Sequence, residues 1–178
     1  AGWRAKEAEM WHNNVGIPLG FAQYVVLCAF FVLREIEGTL MLASSVHVDL
    51  RRLEVTIHLP ASKTDAEALS KFRTLGCPCA LKAGIPCPVH AAITQMELLL
   101  GNFGDDRGGL PQGLPFFPTR AGTAAMKEDV VAAVEAIAGQ LGLMLTSPDG
   151  RRMFGGHAFR VMGSRYLARN GVDIPTLM

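Results

Sequence analysis

The run RRLEVTIHLP, Arg51 to Pro60, decides the fold. Leu53, Val55, Ile57 and Leu59 alternate with Glu54, Thr56 and His58, and Pro60 ends the run. Period two over this length marks a strand with one buried face. After it, the polar segment ASKTDAEA (61–68) reads as a turn, and LSKFRTL (69–75) as a weaker returning strand. Almost every other periodic segment has helical spacing. The expected class is therefore α+β, mainly helical, with one small antiparallel β-sheet.

Upstream of the strand, FAQYVVLCAFFVL (Phe21–Leu33) is a 13-residue apolar run followed at once by Arg-Glu-Ile-Glu. It is too short to span a bilayer and reads as a helix buried nearly all round. LREIEGTLML is expected to continue helically, with Leu33, Ile36 and Leu40 on one stripe. Downstream, a helix is expected from about Pro88 to Leu100. A glycine- and proline-rich loop follows (101–115), and then FFPT (116–119) as a short buried extended piece. Met126, Val130, Val134, Ile137 and Leu141 fall at helical spacing, with Thr123 as the expected N-cap. A last helix runs through HAFRVMGSRYLAR and stops at Asn170-Gly171, a good C-cap pair.

The 178 residues suit one domain, and 49% hydrophobic content allows a sizeable core. The formal net charge of +1 neither requires nor excludes a polyanionic partner, because patches matter more than totals. No secretory signal or internal repeat stands out, so an intracellular setting is expected.

In FGGHAFRVMGSRYLARNG (Phe154–Gly171), His157, Arg160 and Ser164 share one helical face, with Phe159, Met162 and Tyr166 roughly opposite. The expectation is a polar face over a groove and an aromatic-rich face in the core. Gly155 and Gly156 allow close backbone approach, and a helix N-terminus favours a phosphate. The alternative is a plain helix start, with His157 as cap and Arg160 solvated.

Three ordered motifs accompany one another. Arg34-x-x-Glu37 follows the apolar helix, Lys63 sits in a Lys-Thr dipeptide after the strand, and His157-x-x-Arg160 precedes a helix and Asn-Gly-Val-Asp. The set resembles the catalytic domain of the tyrosine recombinases (the phage-integrase family) over about Phe21 to Met178. HAFRVMGSRYLARNGV is most similar to recombinases of eukaryotic mobile elements. The resemblance implies DNA integration or excision through a phosphotyrosine intermediate, with no metal or cofactor in catalysis. It implies that Arg34 and Arg160 stabilise charge on the phosphate, that Lys63 protonates the leaving oxygen, and that His157 assists proton transfer or positions the phosphate. It makes Glu37 the acidic partner of the arginines, beside the plainer reading of an i,i+3 surface pair. The implied partner is DNA, with self-association on DNA, no membrane, and a nuclear location if the source is eukaryotic.

The family's second His or Trp and its nucleophilic tyrosine are expected beyond Met178, since Tyr24 and Tyr166 both read as core. The chain is accordingly expected to be a fragment, inactive in cleavage by itself. Residues 1–16 read as the remnant of a preceding element or linker, and 17–178 as an incomplete catalytic domain with a Cys-rich insertion at about 76–90. The competing function is a catalytically inactive DNA-binding or interaction module with a zinc-stapled loop.

Cys77, Cys79, Cys87 and His90 form C-x-C-x7-C-x-x-H. Three thiolates and an imidazole suit a tetrahedral structural zinc, although C-x-C is tighter than the usual spacing. A buried loop with free thiols is the alternative. Arg51/Arg52, Lys71/Arg73, Arg151/Arg152 and Arg165/Arg169 are basic pairs expected to flank the site, with scattered surface charge as the plainer account.

Overall fold

A computed structural model describes residues 9, 11–59, 71–80, 86–155 and 157–172. Helix α1 (Phe21–Phe30) lies at the centre, with Phe21, Tyr24, Leu27 and Cys28 buried. These positions recur three and four apart, so one long stripe of the helix meets the rest of the core. Tyr24 is the hub. Its ring stacks on Phe21 and meets Phe117 and Phe159 edge-on, with centroids 5.1 and 5.6 Å away for the last two. Its hydroxyl donates to the Glu35 carbonyl oxygen at 2.7 Å. Trp11 also joins this core.

The apolar run does not continue as one helix. The chain breaks after Phe31, and α2 is only Glu35–Thr39. Ile36 and Leu40 are exposed, so the expected stripe with Leu33 does not form. The break is a Schellman end. Leu33 N donates to Cys28 O at 2.8 Å and Val32 N to Ala29 O at 3.3 Å, which places Val32 at φ 56°. Glycine usually takes that position. A β-branched residue there is strained by about 1–3 kcal/mol.

Three antiparallel strands follow in the order β1–β2–β3: Val46–Asp49, Glu54–Leu59 and Lys71–Gly76. Val55 and Ile57 of β2 are fully buried, as their period-two spacing requires. Opposite them in register stand Val48 and Val46 on β1, and Leu75 and Arg73 on β3. β1 was not foreseen. It is four residues long, ending in an Asp49 side chain that accepts the backbone N–H groups of Arg51 and Arg52. So short an element has too few alternations to read.

Helix α3 (Pro88–Phe103) starts with Pro at its first turn and packs on α1. Phe116 and Phe117 are fully buried in an extended segment flanked by bridges from Leu42 to Pro115 and from Pro118 to Ala124. Helix α4 (Lys127–Gln140) begins later than Thr123; Met126 is its N-cap, and the Thr123 hydroxyl hydrogen-bonds that of Thr119 instead. Val130 is buried in α4, but Met126 and Leu141, at the ends of the expected stripe, are exposed. No helix among the described residues is long and apolar enough to cross a membrane.

Helix α5 (Ala158–Arg169) ends at Asn170, with Gly171 at φ 81°. It crosses α1 so closely that a Cβ at Gly163 would overlap the Ala29 carbonyl oxygen. Its buried residues are Phe159 and Gly163, four apart. Met162 and Tyr166 are exposed rather than core, and Tyr166 only edges against Phe30. The tight crossing leaves room for glycine on the buried stripe and pushes large side chains outward.

Candidate functional site

The end of α1 supplies the floor of the site. A helix C-terminus carries unpaired carbonyls and the negative end of its dipole, so it attracts cations. Two arginines from distant elements answer it. Arg160 on α5 donates from Nε to Val32 O at 3.0 Å, and Arg73 on β3 donates from Nη1 to Phe31 O at 2.6 Å. The left-handed turn at Val32 swings its carbonyl toward Arg160 while the chain leaves for α2.

Arg34 is the N-cap of α2, and its backbone N–H donates to Glu37 Oε2 at 2.8 Å. The same carboxylate oxygen lies 3.4 Å from Arg160 Nη2, and Oε1 lies 3.8 Å from Arg34 Nη1. Glu37 is therefore more than an i,i+3 pair: it also reaches Arg160, 123 residues on in the chain. The Arg34 and Arg160 side chains are each 34% exposed and Glu37 is 18% exposed. Two guanidiniums share one carboxylate here, with Arg73 close enough to feel the charge of both Arg160 and Glu37, leaving an excess of positive charge. Arg34 Nε is buried with no hydrogen-bond partner among the described residues. A buried unmet donor costs about 1–3 kcal/mol, so an anionic oxygen would find both charge and donor ready.

Arg73 was overlooked as a site residue because it reads as one half of a basic pair. The usable signal was its phase: it sits on the apolar face of a period-two strand, opposite Ile57. Burial pushes its guanidinium pKa down, and the neighbouring Arg160 adds to this, while Glu37 opposes it.

His157 is the N-cap residue of α5, exposed, and its side chain makes no capping hydrogen bond. It stands one turn before Arg160. Lys63 lies outside the described residues. Neither tyrosine is placed as an attacking group. Tyr24 is fully buried, which raises its pKa far out of reach, and Tyr166 is exposed with its ring edge-on to Phe30. Of the basic pairs, Arg152 is held by both oxygens of Glu135 at 2.8 and 2.6 Å, and Arg151 lies 3.0 Å from Asp149.

A second cluster lies where β3 ends and α3 begins. Cys79 Sγ is 3.3 Å and Cys77 Sγ 3.9 Å from His90 Nδ1, and Cys87 Sγ is 3.6 Å from Cys77 Sγ. All four ligand atoms lie within 4.8 Å of one another. A tetrahedron with metal–sulfur bonds of about 2.3 Å has edges of about 3.8 Å, so these residues fit a metal ion. All four cysteines are free thiols. The backbone N–H of Cys79 leads in lowering the Cys77 pKa, while the hydrogen bond to Cys77 leads in pushing Cys79 up to about 12. Hydrogen bonds from its neighbours thus favour the thiolate form of Cys77, and a metal would compete with those protons.

The assembly of α1, α5 and the three-stranded sheet has the fold of a site-specific recombinase. Among the solved structures that share it are XerH site-specific recombinase bound to difH substrate in a pre-cleavage complex, and the same recombinase with palindromic difH in a post-cleavage complex. Each is 15% identical, with a TM-score of 0.56 over 88% of this chain. The match spans 37% of the recombinase chain. No family model matches the sequence, and no curated protein does.

Proposed function

We propose that this chain is the phosphate-binding part of a tyrosine recombinase catalytic domain, of the kind that mobile elements use to break and rejoin DNA. The observation that carries the reading is the convergence of Arg34 and Arg160 on Glu37, with Arg34 Nε buried and unmet. In the proposed reaction a tyrosine oxygen attacks a DNA phosphorus, the bond to the 5′-oxygen breaks, and that oxygen takes a proton. Arg34 and Arg160 hold the non-bridging oxygens, where charge gathers in the transition state. Glu37 fixes both guanidiniums. His157 serves phosphate positioning or proton transfer, and Lys63 the leaving oxygen. With Tyr24 buried and Tyr166 packed on Phe30, this reading takes the attacking tyrosine from outside the given residues. Self-association would then occur on DNA.

The Cys77, Cys79, Cys87 and His90 cluster is proposed to hold a structural zinc. All four positions would be protein ligands, so the ion would clamp the end of β3 to the start of α3. Free thiols, zinc and a DNA substrate together suit a reducing compartment, the nucleus in a eukaryote.

The test is DNA affinity against salt, by fluorescence anisotropy on a duplex. Arg34→Gln and Arg160→Gln should each weaken binding and lower the slope of log K on log salt by about 1. Unchanged slopes and affinities would overturn the reading. A nicked suicide duplex given to a longer protein that supplies a candidate nucleophilic tyrosine should trap a covalent adduct, lost in Arg160→Ala.

A further inference from the structure

Arg73 is the one guanidinium of the cluster with no motif behind it. It projects from the buried face of the sheet, in register with Ile57, where an unpaired charge would be costly. Its partner is the Phe31 carbonyl oxygen at 2.6 Å, next along the chain from the Val32 oxygen that Arg160 takes at 3.0 Å. Two adjacent carbonyls thus place two guanidiniums side by side. Like charges this close repel, and the one carboxylate, Glu37, is paired with Arg34 and Arg160 and reaches Arg73 only through its field. That repulsion would be relieved by a bound anion. Burial and the charge of Arg160 both disfavour the charged form of Arg73, consistent with positive charge crowded in a half-buried place.

We infer that Arg73 is a third arginine of the phosphate site, a positioning residue that braces the end of α1 beside the carbonyl holding Arg160 and adds its charge to the anion's field. This rests on the phosphate-site reading proposed above. It also explains a structural economy. β3 is the strand that returns from the segment carrying Lys63, so Arg73 ties the position of that strand to the end of α1 and hence to Arg34 and Arg160.

The experiment measures the rise in unfolding midpoint produced by inorganic pyrophosphate at constant ionic strength, in the chain as it stands. Ligand-linked stabilisation reports affinity separately from basal stability. The proteins are wild type, Arg34→Gln, Arg160→Gln, Arg73→Gln, Arg73→Lys, and Arg151→Gln as a surface control. Arg73→Gln should weaken pyrophosphate binding about tenfold, as removing a nearby positive charge from a half-buried anion site does. Arg73→Lys, which keeps the charge without the fork, should fall between, and it also serves if Arg73→Gln fails to fold. A purely structural Arg73 would lower the basal midpoint and leave the pyrophosphate increment intact. That result, alongside reduced increments in the Arg34 and Arg160 variants, would overturn this inference and leave the site reading standing. No increment in wild type, or equal increments in all six proteins, would overturn the phosphate site itself and this inference with it.

Discussion

Arg160 reaches back 128 residues to donate its Nε–H to the carbonyl oxygen of Val32. One contact joins the last described helix to the end of the central one. It depends on two unusual backbone features: the left-handed Val32, and the Gly163 crossing that lets α5 lie against α1.

Gly163→Ala should displace α5, because its Cβ would overlap the Ala29 carbonyl. Backbone cannot yield as a side-chain tip can, so a loss of about 1–3 kcal/mol is expected. Urea unfolding measures it. Because Arg160 rides on the same helix, DNA affinity of the folded fraction should fall as well. Full affinity in a destabilised protein would separate the crossing from the site.

Glu37→Gln removes the charge that holds Arg34 and Arg160. Loss of charged hydrogen bonds in a part-buried cluster should cost about 1–3 kcal/mol. Added sulfate should then restore more stability to the variant than to wild type, because the arginines lack their carboxylate. Equal sulfate effects in thermal melts would argue that Glu37 does not set the charge balance of the cluster.

Removing metal should expose the thiol cluster. With a strong chelator, Cys77, Cys79 and Cys87 should become reactive to a thiol reagent, while Cys28, fully buried and with its pKa raised by desolvation, should stay protected until unfolding. The unfolding midpoint should drop on chelation and recover with added zinc. A folded protein that carries no metal, and whose midpoint ignores zinc, would leave the free-thiol loop as the right account.

The metal-free cluster also has a pH order. Cys77 has a lowered pKa and Cys79 one pushed up to about 12. Thiolate is the reactive form, so near pH 8 alkylation should mark Cys77 well before Cys79. Peptide mapping after brief iodoacetamide treatment decides this. Raising the pH toward 12 should narrow the gap, since Cys79 then ionises too.

Tyr24→Phe leaves the Glu35 carbonyl without its donor and should cost about 1–2 kcal/mol. DNA binding should be kept, because the hydroxyl is buried and bonds a backbone carbonyl rather than an arginine. Lost binding in a stably folded Tyr24→Phe protein would place Tyr24 closer to the site than its burial implies.

Much of the fold was legible from local pattern. β2 shows itself by alternation, α3 by Pro88 at its first turn, and the end of α5 by Asn170-Gly171, because each signal lies within a few residues. β1 was too short to read. The break after Phe31 was missed because nothing in the local sequence favours it. Valine resists the left-handed turn, and only the surrounding packing holds it there. Met162 and Tyr166 were assigned to the core by helical phase, yet the Gly163 crossing chose a narrower stripe.

By itself, the sequence determined the α+β class, the residue types suited to a phosphate and the four possible metal ligands, since periodicity and ligand chemistry are properties of short segments. Tertiary structure alone decided that Glu37 is shared by Arg34 and Arg160 and that Arg73 joins them. Those facts depend on how α1, β3 and α5 approach one another. Such approaches arise from packing and close crossings between residues far apart in the chain, which no local pattern encodes.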